Sequence, residues 1–443
     1  MDFLIRGYLC DPAAGWDNEA DILIRNGYVE AVFPKGSPNI ADVLVLDFGQ
    51  HLLLPGLVDI HVHFREPGGE HKETIASGSA AAVAGGFTSV VCMPNTSPTL
   101  DNAALITYVK ESALKAGLAR VYPVGAVTLG QQGEEMTDME QLALAGAVAF
   151  SDDGRPIMNS NFMLEALNKS RELDRLLIAH CEDLSLSAGG VVYGGKSAQR
   201  LGLPVVSKAA EPAMLARDLV LLQESGGMLH IAHLSTRKSA ELLRLARKAG
   251  AFVSAEVTPH HLLLTDEAVE TCASDAKMNP PLGSRDDLLA LQEALFQGYI
   301  DMVATDHAPH SPKEKKHNLL QAPFGVVGLE TSFSLLFSSL VDKGHMTLPE
   351  LVRVMSTNPA RRLGIPGGTL VPGSPADLVV VDCHREWTVD KSKFYSQGEN
   401  TPFQGWSLRG QPVMTMVGGE IKMVNGKVKG ISSDFPCLEE IIS

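Results

Sequence analysis

Between residues 54 and 365 short apolar runs alternate with stretches of helical period. Runs at 88–93, 119–124, 147–150, 176–180, 228–233, 251–257 and 302–306 read as buried strands. Apolar positions recur every three to four residues over 102–115, 162–173, 212–224, 237–248 and 285–296, which predicts helices between them. The two ends of the chain read differently. Alternating apolar residues at 2–7, 20–25 and 28–34 surround Asn26-Gly27, and the run at 376–382 precedes a second Asn-Gly pair at Asn425-Gly426. Asn-Gly between alternating runs signals a two-residue hairpin turn.

Strand–helix alternation of this length predicts an α/β fold, either a parallel barrel or a doubly wound sheet. Candidate ligands fall repeatedly at strand C-termini, where a (β/α)8 barrel of the TIM type builds its site, so the barrel is expected. Residues 54–365 form that barrel in this reading. Residues 1–53 and 366–443 then combine into one small β-sandwich domain of discontinuous sequence. No internal repeat suggests a solenoid.

Composition narrows the function. Hydrophobic content of 45% is ordinary for a globular enzyme, and a formal charge of −15 argues against nucleic acid or anionic membrane as the main partner. No stretch reaches the roughly 20 apolar residues of a membrane span, and the N-terminus lacks the pattern of a secretion signal. Cysteines at 10, 92, 181, 272, 383 and 437 form no Cys-x-x-Cys pair. Scattered thiols fit a reducing compartment, so a cytoplasmic location is expected.

The chemistry starts at Pro55-Gly56-Leu57-Val58-Asp59-Ile60-His61-Val62-His63, an apolar run that ends in His-x-His. Residues two apart on a strand share a face, so His61 and His63 can grip one ion. Taken alone, such a pair is as often two satisfied core histidines. Asp153, His180, His233 and Asp306 each follow another apolar run, and in a barrel all would converge on one mouth. Four histidines and two carboxylates suit two divalent ions. Asp152 competes with Asp153, although a turn carboxylate is its simpler reading. Arg65, two residues past His63 and read as lying on the same strand, is placed to offer a forked cation to a carboxylate.

These residues sit in segments that resemble the amidohydrolase superfamily and, within it, the dihydroorotases of the bacterial long-chain type. The marks are His61-Val62-His63-Phe64-Arg65-Glu66-Pro67-Gly68, Gly85-Gly86-Phe87-Thr88, Met93-Pro94-Asn95-Thr96, Ser151-Asp152-Asp153-Gly154, Lys277-Met278-Asn279-Pro280-Pro281-Leu282 and Thr305-Asp306-His307-Ala308-Pro309-His310. The resemblance implies a metal-dependent cyclic amide hydrolase that interconverts N-carbamoyl-L-aspartate and L-dihydroorotate in pyrimidine synthesis. It implies one or two zinc ions, with His61, His63 and Asp306 on the first and His180 and His233 on the second, the more weakly loaded. Asp153 stands where many superfamily members use a carboxylated lysine. Asp306 would be the general base and acid, and Arg65, Asn95, Asn279 and His310 would contact substrate. Phe324 and Gly325, within Pro323-Phe324-Gly325-Val326-Val327-Gly328, would close the pocket through backbone groups.

The resemblance also brings alternatives: another cyclic amidase such as an allantoinase or hydantoinase, or a catalytically silent subunit of an aspartate transcarbamoylase complex. A homodimer is the default assembly, and association with the transcarbamoylase stays open. Three features are read as structural. His260-His261 would be adjacent strand residues pointing apart, His307 would orient its loop, and Lys313-Glu314-Lys315-Lys316-His317 would be a solvated loop face with the option of a lid.

Overall fold

The computed structural model describes residues 2–36 and 40–436; Cys437, the last of the six cysteines, lies outside them. Both Asn-Gly pairs turn as their sequence requires. Asn26 and Gly27 have φ of 50° and 83°, Asn425 and Gly426 of 46° and 76°, the paired left-handed conformations of a two-residue hairpin.

The chain opens with β1 (Phe3–Asp11), β2 (Trp16–Arg25), β3 (Tyr28–Pro34) and β4 (Leu44–Pro55). The parallel strands β5 (Leu57–Val62), β6 (Phe87–Cys92), β7 (Arg120–Gly125), β8 (Ala149–Ser151) and β9 (Leu176–Ala179) follow. A short pair, β10 (Val192–Tyr193) and β11 (Val205–Val206), interrupts them before β12 (Leu229–Ile231), β13 (Val253–Val257) and β14 (Met302–Val303). The run from β5 to β14, without the short pair, forms one eight-stranded parallel sheet in chain order. It closes on itself where His63 N donates to His307 O at 2.8 Å, beside a parallel bridge between Val62 and His307. Its strands are buried on both faces, as expected of a parallel sheet wrapped by helices. The connecting helices include Ala103–Ala116, Ser160–Glu172, Ala210–Ser225, Arg237–Lys248 and Arg285–Phe296, close to the spans that periodicity predicts.

The termini meet in a second eight-stranded sheet with β15 (Leu378–Asp382), β16 (Trp387–Thr388) and β17 (Ser407–Leu408) on the way to β18 (Gln411–Val417), β19 (Glu420–Val424) and β20 (Lys427–Val428). Its order is β20-β19-β18-β15-β4-β1-β2-β3, and the antiparallel pairing of β15 with β4 joins the two ends of the chain. Ile5, Ile22, Leu53, Val380 and Met414 lie in its own apolar cluster. The β16–β17 pair belongs to neither eight-stranded sheet. It packs through Val389, Phe403 and Leu408 on Leu335 of the barrel, and so carries residues 394–403 to the barrel mouth. Among the described residues no helix is long and apolar enough to cross a membrane.

Candidate active site

His61 is the last residue but one of β5, whereas the other candidate ligands follow just past the ends of their strands. β9 ends one residue before His180, β12 two before His233 and β14 three before Asp306. Three residues at the site adopt left-handed backbone conformations: Arg65 at φ 61°, His233 at 32° and Asp306 at 49°. Such strain in non-glycine residues persists where surrounding contacts hold it, and it clusters at functional sites. Arg65 is therefore not on the strand, as the spacing suggests. β5 ends at Val62, and a turn beyond it brings the side chain back to the pocket, with Arg65 Nε donating to Pro309 O at 3.3 Å.

The six candidate ligands converge. Asp153 sits at the centre, with Oδ1 at 3.4 Å from His61 Nε2, 3.6 Å from His180 Nδ1 and 3.5 Å from His233 Nε2. Its Oδ2 lies 3.5 Å from His63 Nε2, and Asp306 Oδ1 lies 3.0 Å from the same nitrogen. Two sets, His61–Asp153–His233 and His61–His63–Asp306, each bring their ligand atoms within 4.8 Å of one another.

Three of the histidines have their outer nitrogen paired with an oxygen. His61 Nδ1 meets Glu256 Oε1 at 2.6 Å, His63 Nδ1 meets Asn95 Oδ1 at 2.8 Å, and His180 Nε2 meets Glu182 Oε2 at 2.8 Å. A proton held on that outer nitrogen leaves the inner one free to act as an electron-pair donor.

This donor set fits a divalent cation. His61 Nε2 and Asp153 Oδ1 are buried and have no hydrogen-bond partner. Imidazole nitrogens and carboxylate oxygens are the ligand types of zinc and its neighbours. The proton affinities agree. Burial opposes charge throughout, but Asp153 and Glu256 pull His61 well above the usual histidine range, and Asp153 with Glu182 raises His180 to about 10. Against the same burial, His61 and the hydrogen bonds of His180 and His233 hold Asp153 well below the carboxylate range, while His63 and His61 lower Asp306. Burial lowers His63 instead, so protons gather on His61 and His180, and binding a cation there would displace them.

The cluster forms one wall of a cavity of about 180 Å³ that Arg65, Asn95, Asn279, Phe324 and Gly325 also line. His310 stands just behind, its Nε2 at 2.7 Å from Phe324 O and 3.4 Å from Arg65 Nη2. Burial, then Arg65 and Lys72, push His310 down to about 3, so it is neutral beside the guanidinium. A larger cleft, about 480 Å³, lies between helices Arg237–Lys248 and Arg285–Phe296 and shares no lining residue with this cavity.

Several side chains take roles their sequence context hides. Asp152 accepts from Val127 N at 2.8 Å, Thr128 N at 3.1 Å and Thr128 Oγ1 at 2.5 Å, the structural part of a buried turn. His260 and His261 lie on the short helix Pro259–Leu263, not on a strand, and their rings are 4.6 Å apart instead of facing away from each other. His307 does orient its loop: its Nδ1 accepts from Gly328 N at 3.2 Å and its Nε2 faces Glu73 at 3.3 Å. Lys315 is not solvated. It is 6% exposed and donates to Lys277 O, Pro323 O and Gly325 O at 3.4, 3.1 and 3.0 Å.

Glu256, Glu182 and Asp59 escape the sequence reading. Glu256 is fully buried between His61 and His230, and burial is outweighed by their charges, which bring it to about 2. Its signal is a charge inside the apolar strand β13, which burial tolerates only when paired. Asp59 accepts from His61 N at 3.1 Å and Thr305 Oγ1 at 2.5 Å, tying β5 to the segment after β14.

Comparison with known proteins agrees with this geometry. The family description Dihydro-orotase-like matches residues 50–239. The chain is 48% identical to the dihydroorotase of Syntrophus aciditrophicus, covering 95% of this chain and 99% of that one. It is also 48% identical to the dihydroorotase of Pelotomaculum thermopropionicum, with 96% and 99% covered. Among solved structures, L-hydantoinase (dihydropyrimidinase) from Arthrobacter aurescens superposes with a TM-score of 0.86 at 27% identity, over 96% of this chain and 97% of that one. Dihydropyrimidinase from Brevibacillus agri shares the fold, with a TM-score of 0.83 at 23% identity over 97% and 96% of the two chains. Near half identity sustained along almost the whole of both chains, on a barrel whose mouth gathers four histidines and two aspartates, means that the chain belongs to the dihydroorotase family.

Proposed function

We propose that this protein interconverts N-carbamoyl-L-aspartate and L-dihydroorotate, closing or opening a cyclic amide in pyrimidine synthesis. One observation carries the reading beyond family membership. A donor set fit for a divalent metal and a guanidinium fit for a carboxylate line the same small cavity. A neutral cyclic amide would need only the first.

In this reading His61, His63, Asp153 and Asp306 hold one metal, and His180 and His233 with Asp153 hold a second. The bound metal, zinc in our proposal, supplies Lewis acidity and an activated water. Asp306 is kept ionised by His63 and His61 against the effect of burial, so its carboxylate has an electron pair to offer. It takes a proton from the attacking water and hands it to the departing ring nitrogen, acting first as base and then as acid. Arg65 receives the substrate carboxylate, and Asn279 and His310 orient it. Asn95 serves His63 through its Oδ1, which leaves its amide nitrogen for the substrate. Phe324 and Gly325 cover the opposite wall.

We further propose a homodimer working in the cytoplasm, in keeping with the scattered cysteines, which are free among the described residues. Size exclusion with and without aspartate transcarbamoylase tests that enzyme as a partner. The deciding experiment is ring opening of L-dihydroorotate by the purified, zinc-loaded chain, followed by loss of ultraviolet absorbance. Metal-dependent turnover is expected. Turnover of hydantoins or allantoin but not L-dihydroorotate would sink the proposal, and no turnover at all with metal bound would favour a silent subunit.

A further inference from the structure

Pro309 O receives Arg65 Nε, so the place of the guanidinium depends on what fixes Pro309. The residues on both sides of Pro309 are held by one side chain, Asn400, which comes from the segment beyond the barrel. Asn400 Nδ2 donates to Ala308 O at 3.0 Å, and His310 N donates to Asn400 Oδ1 at 3.1 Å. The second Nδ2 proton goes to Gly325 O at 2.9 Å, and Val327 N donates to Asn400 O at 2.9 Å. Asn400 is 2% exposed and does not line the cavity. Its amide spends both donors and its acceptor on the two loops that form the far wall.

Lys315 completes the clasp from the other direction. Its ammonium shares Gly325 O with Asn400 and also grips Pro323 O and Lys277 O. Gly325 N donates to Lys277 O at 2.9 Å, two residues before Asn279. The three segments that bear Asn279, His310 and Gly325 are thus locked together by two buried side chains behind the cavity wall. A buried polar group that satisfies all its bonds rigidifies its surroundings, and a preorganised receptor loses less on binding.

We propose that Asn400 is a positioning residue for the substrate carboxylate: it fixes Pro309 and the Gly325 loop, and through them the place of Arg65 and His310. This rests on the reading of Arg65 and His310 as the carboxylate receptor. Asn400 touches no reacting atom, so its loss acts on binding more than on the chemical step.

The test uses the full-length, metal-loaded protein with Asn400→Ala, Asn400→Asp and Lys315→Met. Asn400→Ala is expected to raise KM for L-dihydroorotate about tenfold while kcat stays within about threefold. Metal content stays at the wild-type level. Asn400→Asp keeps the acceptor for His310 N but sets an oxygen against the carbonyls of Ala308 and Gly325, so its KM rises at least as far. Lys315→Met loosens the Gly325 and Lys277 segments but leaves the Asn400 bonds to Ala308 and His310, and gives a smaller rise. If the alanine variant fails to fold, the other two decide. Unchanged KM in the Asn400 variants, or lost kcat with KM unchanged, would overturn the proposal. Calorimetric binding of orotate runs in parallel and is expected to weaken in step with KM. A wild type that binds orotate but opens no L-dihydroorotate would fail the functional reading alone. Equal orotate affinity in wild type and Asn400→Ala would fail this one.

Discussion

Glu256 Oε1 lies 2.6 Å from His61 Nδ1, and both side chains are fully buried, 195 residues apart in sequence. The same carboxylate faces His230 Nε2 at 3.0 Å and accepts from His233 N at 3.2 Å, so one group steadies two candidate ligands. A charged partner on the outer nitrogen raises the basicity of a ligating imidazole. Glu256→Gln is therefore expected to weaken metal binding about 10- to 100-fold. Competition with a chromophoric chelator measures it, and wild-type affinity would remove Glu256 from the support of the site.

Asp306 separates metal binding from proton transfer. Asp306→Asn is expected to keep metal at saturating concentration while kcat falls about 100- to 10,000-fold, the range of a lost general base. Metal analysis beside steady-state kinetics checks both halves. Near-normal turnover would take Asp306 out of the mechanism.

Arg65 carries the carboxylate reading. Arg65→Met is expected to raise KM for L-dihydroorotate about 100-fold, the cost of a charge-assisted pair. Arg65→Lys recovers only part, because an ammonium cannot make two parallel bonds. A lysine variant with wild-type KM would show that charge alone suffices.

Lys315 predicts a pH dependence of stability. Burial pushes its ammonium down to about 8, with Asp275 opposing and Lys277 reinforcing. Above pH 8 the folded protein sheds this proton, while the unfolded chain holds it to the usual lysine range near 10.5. The unfolded state binds more protons in that window, so this group's contribution to stability rises with pH. The difference in Tm between wild type and Lys315→Met should move in favour of wild type from pH 8 to 10.5 and stay flat below about pH 7. A difference independent of pH would mean that Lys315 titrates normally.

Metal removal gives the simplest check on the cluster. A ligand bound to the native state alone adds about 4 kcal/mol at a thousandfold excess over Kd. Dialysis against a chelator should lower Tm and abolish turnover, and zinc should restore both. An unchanged Tm would mean that the donor set does not hold a metal in solution.

The chain's own pattern determined the barrel and the gathering of its six candidate ligands. Parallel strands buried on both faces leave continuous apolar runs, and a polar residue just past such a run has one place to go, the barrel mouth. The hairpins were equally legible, because Asn26-Gly27 and Asn425-Gly426 adopt conformations that few other pairs tolerate. Local pattern misled where the backbone departs from regular period. Arg65 sits past the end of its strand in a left-handed turn, His260 and His261 fall on one turn of helix, and Lys315 looks solvated by its charged neighbours yet is buried. Only the closed barrel decided which groups support the ligands. Glu256 meets His61, Glu73 meets His307 and Asn400 meets His310 across 195, 234 and 90 residues of chain. Pairings at such range leave no periodic trace, because their geometry exists only once the first strand has closed on the last and the terminal segment has folded back over the mouth.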